Sequence, residues 1–268
     1  MLYITVALSA EARPLIDTFK LTRTYALPYT LFENSDIKLL VTGVGLQNAI
    51  MATSAFLGHF SPNEDDLLLN IGICAAPQSF EIGEAFLVHK LTCKVPYESK
   101  NQVYYPDILF EHPLKESDLL SVDESMDIAQ ELPVDMEAYG VYKAASRFLN
   151  THQLLFFKVV SDHFEPLHVS KESATSLIQN SINALQNILH SAKYVTKKDS
   201  LFSQEEQESI DAIANYFTKS QASAFYDACC YYKLHHKKPL DLKTPSQEKL
   251  SKKERSIQFE SLVKTLTL

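Results

Sequence analysis

Tryptophan is absent and glycine nearly so, with six glycines in 268 residues against an ordinary usage of about 7%. A chain this sparing keeps glycine where the backbone demands it, which singles out Gly43, Gly45, Gly72, Gly83 and Gly140. Cysteine is scarce as well. Cys74, Cys93, Cys229 and Cys230 show no CxxC or ligand-like spacing, and sequence neighbours rarely bridge, so a reducing cytoplasm is the expected setting and no metal is expected. No apolar run approaches the roughly 20 residues of a membrane-spanning helix. Met1 to Leu8 carries no basic leader before Glu11, which argues against a secretory signal and a membrane partner. Positive charge is in deficit, 25 Lys and Arg against 33 Asp and Glu for a net charge of −8, a poor match to nucleic acid.

What is present is a well-supplied core. The chain is 46% hydrophobic, and its length implies about two domains, or one large domain with an appendage. Leu2 to Leu8, Leu67 to Ile71 and Leu154 to Val160 are short continuous apolar runs, the pattern of strands buried on both faces. Tyr25 to Phe32 and Ile37 to Val41 read as a hairpin, and Ala85 to Leu91 as a further strand. Gln47 to Phe60, the stretch from Ala138 through Phe148, and Ser170 to Ala192 read as helices, the last with Ile178, Ile182, Leu185 and Leu189 on one face. Strands alternating with helices predict an α/β domain around a mixed, largely buried sheet. The stretch Thr92 to Glu131 has no firm period.

Composition shifts near Lys197. Ser203 and Glu206 form a capping box that opens a helix, and Thr218 starts a second one reaching Leu234. Tyr231 to Arg255 holds eight Lys or Arg against three acids, read as a solvated tail or a packing helix. The domains expected are therefore 1–195, α/β, and 196–268, a helical extension. The adjacent His235 and His236 point in different directions in a helix or a strand, which disfavours a metal site.

Polar residues fall just past the ends of the apolar strands: Glu11, Thr42-Gly43, Gly72 and Ser161-Asp162, with Glu137 at a strand-to-helix junction. In open α/β sheets that edge is where ligands bind. The pieces ALSAE (Ala7 to Glu11), TGVG (Thr42 to Gly45), NIGICAA (Asn70 to Ala76), IGE (Ile82 to Glu84), VDMEA (Val134 to Ala138) and VVSD (Val159 to Asp162), in this order, resemble the nucleoside phosphorylase/nucleosidase superfamily. The likeness covers about residues 1–192 and is greatest to methylthioadenosine/S-adenosylhomocysteine nucleosidases and futalosine hydrolases.

The resemblance implies a three-layer α/β/α fold of nucleoside-phosphorylase type and cleavage of the N-glycosidic bond of a purine nucleoside or a related metabolite. It implies Asp162 as the acid that protonates N7 of the departing base, Ser161 as its orienting partner, and Glu11 as the base that activates water. It implies further that Glu137 accepts hydrogen bonds from ribose hydroxyls while Met136 packs on the sugar, and that backbone at Gly43, Gly45, Gly72 and Ile73 lies close to the ligand. No cofactor or metal is implied, and relatives commonly form homodimers. Phosphorolytic relatives carry arginine where this chain has Asn70, and a carboxylate at Glu11 repels phosphate but suits water, so hydrolysis is preferred. A phosphorylase, or a nucleoside-binding scaffold without catalysis, remains the alternative. The segment between Leu120 and Val134 is short by family standards, which leaves the base contacts unread.

Overall fold

The apolar runs become strands buried along most of their length: β1 (Leu2–Val6), β5 (Leu67–Ala75) and β10 (Leu154–Asp162). β5 lies between the other two and is parallel to both, with Thr5 opposite Asn70 and Lys158 opposite Gly72. Strands covered on both faces have no solvent side, so continuous hydrophobicity replaces alternation. The computed structural model describes residues 1–268 apart from 94–101, 127, 166–168, 197–200, 237, 241, 243–251 and 268. The chain forms two compact units, Met1–Lys197 and Lys198–Leu268.

In the first unit the sheet continues from β1 through β4 (Ile37–Val41) and β3 (Thr30–Glu33) to β2 (Thr22–Thr24). On its other side β10 pairs with β6 (Ala85–Cys93), which pairs with β8 (Lys115–Ser121) and with β7 (Gln102–Tyr104). The two-residue β9 (Val134–Asp135) joins β8 back to β5, so β5, β10, β6, β8 and β9 form a closed ring of pairings. Parallel and antiparallel pairs coexist, as the mixed-sheet expectation requires.

Helices cover both faces. α1 (Ser9–Phe19) and α4 (Lys171–Thr196) bring Leu15, Ile178 and Leu185 against Ile4, Leu69 and Phe157. On the opposite face α2 (Leu46–Phe60) and α3 (Ala138–Ala145) place Phe56 and Val141 against Leu68 and Phe156. The three-layer α/β/α arrangement is thus present. Gly140 has a specific job in it: a Cβ there would lie 2.6 Å from the Leu46 carbonyl oxygen and 2.9 Å from Ala49 Cβ. Only glycine allows α3 this close to α2, and α3 carries Glu137 at its start.

Two differences from the sequence reading have clear causes. The hairpin strand begins at Thr30 rather than Tyr25, whose side chain is exposed. Thr92 to Glu131 contains β7 and β8, although the first half of β8 is polar and shows no apolar period. Polar cross-strand contacts flank that half instead: Lys90 Nζ lies 2.5 Å from Asp118 Oδ2, and His89 Nε2 lies 2.9 Å from Asp118 Oδ1.

The second unit is helical: α5 (Gln204–Ala214), α6 (Lys219–His236) and α7 (Lys252–Thr267) around Phe202, Ile210, Phe225 and Cys229. The capping box at Ser203 and Glu206 forms in both directions, and α7 starts within the basic stretch read as a tail or a packing helix. His235 and His236 stack on Tyr231 and Tyr232 at 4.5 and 4.6 Å between ring centroids. Part of the basic stretch from Tyr231 to Arg255 lies outside the described residues. Among the described residues no three His, Cys, Asp or Glu side chains are placed to hold a metal ion, and no helix is long and apolar enough to cross a membrane.

Candidate active site

Glu11 occupies the third position of α1, where a carboxylate reaches back to orphan backbone donors and complements the helix dipole. It does more here. Its Oε2 accepts from the Ala7 and Leu8 N–H groups at 3.0 and 2.8 Å, and its Oε1 accepts from Ile73 N–H at 3.0 Å. Glu11 is buried, so three backbone donors from the ends of two neighbouring strands fix its carboxylate. Burial raises its pKa above the ordinary carboxyl value, against the pull of those donors and of Lys158.

Gly72 lies beneath that carboxylate. A Cβ there would meet Glu11 Oε1 at 3.0 Å and Lys158 Nζ at 3.6 Å. The glycine therefore makes room for two charged side chains, and neither Gly72 nor Gly43 is among the residues lining the cleft. Asn70, one strand step below, does not line it either: its amide nitrogen donates weakly to Thr5 and its Oδ1 is buried without a partner.

Lys158 is the residue that sequence reasoning passed over. It is 1% exposed in the middle of β10, and its Nζ lies 2.8 Å from Asp135 Oδ2. Burial works against its charge, but Asp135, Glu137 and Glu11 outweigh it and hold the ammonium pKa above the ordinary lysine value. A lone lysine inside an otherwise apolar strand, LLFFKVV, was the available signal, since a buried charge persists only when paired. Asp135 also accepts from Ser121 Oγ at 2.5 Å and from Ala138 N–H at 2.8 Å.

Glu137 opens α3, and its Oε1 accepts from Gly45 N–H at 2.9 Å. Burial, then the negative charge of Asp135, push its pKa up to about 7 from 4.5. A carboxyl group raised in the fold costs stability once it must ionise, so this contribution is lost as pH rises from about 4.5 through about 7. Glu137→Gln should therefore gain in Tm relative to the parent between pH 5 and pH 8. Melting curves that run parallel over that interval would refute the shift.

Ser161 and Asp162 end β10 at a β-bulge, where the register slips between Val160 and Asp162. Consecutive strand residues ordinarily face opposite sides. The bulge re-aims them, and both side chains line one cleft. Ser161 Oγ lies 2.7 Å from Asp162 Oδ2 and 3.0 Å from the Cys74 carbonyl, while Glu165 N–H donates to Asp162 Oδ1 at 2.8 Å. His163 turns away and bonds the Ala76 carbonyl through Nδ1 at 2.9 Å. Cys74 also borders the cleft, but burial drives its thiol pKa well up, which leaves it a small apolar neighbour.

Glu11, Glu137 and Asp162 thus meet, with Ser161, Met136 and Ile73, around one cleft of about 190 Å³. Arg13 does not join them: its side chain is exposed and paired with Asp17. The arrangement supplies four carboxyl groups, those of Glu11, Asp135, Glu137 and Asp162, with a buried ammonium paired to Asp135, beside the apolar side chains of Val122, Val134 and Phe164. It suits acid/base chemistry on a ligand with one polar and one flat apolar part.

No protein-family model and no curated protein matches this sequence. Solved structures do resemble it. A 5′-methylthioadenosine/S-adenosylhomocysteine nucleosidase from S. pneumoniae superposes with a TM-score of 0.60 at 16% identity, covering 71% of this chain and 98% of that one. The futalosine hydrolase of Helicobacter pylori gives 0.56 at 14% identity, covering 70% and 97%. A 5′-methylthioadenosine nucleosidase from Arabidopsis thaliana gives 0.57 at 20% identity, covering 74% and 96%. The fold of this chain is that of the nucleoside phosphorylase/nucleosidase structures.

Proposed function

We propose that the protein hydrolyses the N-glycosidic bond of a purine nucleoside or nucleoside-like metabolite. The observation that carries this reading is the meeting of Glu11, Glu137 and Asp162, from three distant parts of the chain, in one cleft. Such a bond breaks through an oxocarbenium-like sugar, which needs a proton on the departing base and a nucleophile at the anomeric carbon. Asp162 gives its proton to N7, and Ser161 orients it. The base leaves as a neutral heterocycle, the electrons of the broken bond being taken up by the protonated ring. Water adds to the anomeric carbon and loses a proton to Glu11. Solvent then returns both carboxyls to their starting states.

Glu137 accepts from the ribose hydroxyls and Met136 packs against the sugar. Lys158 sits below the carboxylates and keeps three negative groups together at tolerable cost, which a substrate sugar developing positive charge then exploits. Three backbone N–H groups already satisfy Glu11 from one side, so a phosphate dianion placed against it would meet a carboxylate instead of donors. That favours water over phosphate.

The test is purine release in phosphate-free buffer from a panel of 5′-methylthioadenosine, S-adenosylhomocysteine, futalosine and unmodified purine nucleosides. Turnover of at least one of them without phosphate is expected. Turnover that depends strictly on added phosphate would assign a phosphorylase instead, and binding without turnover a scaffold.

A further inference from the structure

A helix begins with backbone donors that its own turns cannot satisfy. The side chain of its N-cap residue ordinarily bends back to accept from the N–H two or three positions on. Glu137 is the N-cap of α3, and its carbonyl takes the first helical bond, from Val141 N–H at 3.0 Å. Its carboxylate nevertheless caps nothing. The nearest donor, Tyr139 N–H, is already taken by Ser121 Oγ at 3.0 Å, and the Ala138 N–H before it by Asp135 Oδ2 at 2.8 Å. Ser121 and Asp135 lie opposite each other in the β8–β9 pairing, are both buried, and are joined by the Ser121 hydroxyl, which donates to Asp135 Oδ1 at 2.5 Å. Glu137 reaches Gly45 N–H instead; among the described residues no donor meets its other oxygen, and Glu137 lines the cleft.

We infer that Ser121 and Asp135 form a substitute cap for α3, and that Ser121 is thereby a positioning residue that keeps the Glu137 carboxylate available to the ribose hydroxyls. This rests on the nucleosidase reading above and deepens it by assigning what sustains selection for the sugar. An ionised carboxylate only accepts hydrogen bonds, so an oxygen spent on a helix N–H is lost to a sugar hydroxyl. A helix N-terminus also attracts negative charge. With an open donor at Tyr139, the Glu137 side chain is drawn back onto its own helix, away from Gly45 and from the sugar. Ser121 closes that alternative: its hydroxyl gives its proton to Asp135 and takes Tyr139 N–H on a lone pair. Lys158, 2.8 Å from Asp135, balances the charge that this arrangement buries. Discrimination between a ribose and a deoxyribose thus depends on a residue outside the lining of the cleft.

Ser121→Ala deletes the oxygen that holds Tyr139 N–H and tests this directly. In the full-length parent and the variant, kcat/KM is measured for the best nucleoside of the panel and for its 2′-deoxy and 3′-deoxy analogues. The ratio of ribonucleoside to analogue is taken within each protein and then compared between proteins, which cancels the intrinsic lability of each glycosidic bond. Ser121→Ala is expected to lose about tenfold of the preference for at least one hydroxyl, the lower end of what a hydrogen bond to a charged group contributes. The deoxy analogue that lacks this hydroxyl should keep close to its parental kcat/KM. A purely structural role for Ser121 slows ribonucleoside and analogue alike, and ratios within about twofold of the parent would overturn the inference. Ser121→Cys, similar in size but a weak acceptor, gives the same reading if Ser121→Ala fails to fold. Unchanged ratios in a protein that cleaves nucleosides overturn only this assignment. A parent that cleaves no nucleoside overturns the functional reading with it.

Discussion

Asp162→Asn should lower kcat by about 10² to 10⁴ while leaving KM within a few-fold of the parent. The substitution is close to isosteric, and the local bonds accommodate it. Asn keeps the Oδ1 acceptor for Glu165 N–H. The Ser161 hydroxyl, already 3.0 Å from the Cys74 carbonyl, donates there and accepts from the new amide. What the amide cannot do is deliver a proton, so the base must depart as an anion. A loss confined to kcat marks an interaction made in the transition state. The comparison is steady-state kinetics on the best substrate of the panel, beside Tm for both proteins. Near-parental kcat would mean that Asp162 only orients the base and that no acid acts at this position.

The second large effect is on stability. Lys158→Met keeps the length and shape of the side chain but deletes the ammonium that faces Asp135 at 2.8 Å. Removing one partner of a buried ion pair strands the other, at a cost of about 3–5 kcal/mol, or roughly 10 °C in Tm for a unit of this size. Three carboxyls are stranded here, because Glu137 and Glu11 also draw on Lys158. The dependence on pH follows from which groups titrate. Lysine itself stays charged, its pKa being held above 10.5 in the fold, whereas the carboxyls take up protons as pH falls. The penalty should therefore be largest above pH about 7 and shrink toward pH 4.5. Lys158→Met combined with Asp135→Asn should recover part of the loss, since the neutral amide needs no counter-charge. A single variant that melts within about 2 °C of the parent at pH 8 would show that the cluster is not charged as described.

The sequence by itself determined the secondary structure of most of the core and which strand-end carboxyl groups line the cleft. LYITV, LLLNI and LLFFKVV declare buried strands because a strand covered on both faces cannot alternate, and the α4 stripe declares an amphipathic helix because its apolar period is that of a helix. The order of six short pieces placed Glu11, Glu137 and Asp162 at strand ends, and strand ends in an α/β sheet converge. β8 was illegible for the converse reason: its first half is flanked by polar contacts with β6, and contacts across strands leave no period along one strand.

Only the tertiary structure decided how the groups are held. That Gly72 yields its side-chain space to Glu11 and Lys158, and that Gly140 admits α3 against α2, depends on which atoms lie opposite, and chain neighbours do not reveal that. The bulge that turns Ser161 and Asp162 to one side is a mismatch between β10 and β5, a property of the pair. Lys158 looked like an interruption of a hydrophobic run until the fold brought Asp135, Glu137 and Glu11 around it. A buried charge is intelligible only with its counter-charges, and those came from segments that only the folded chain brings together.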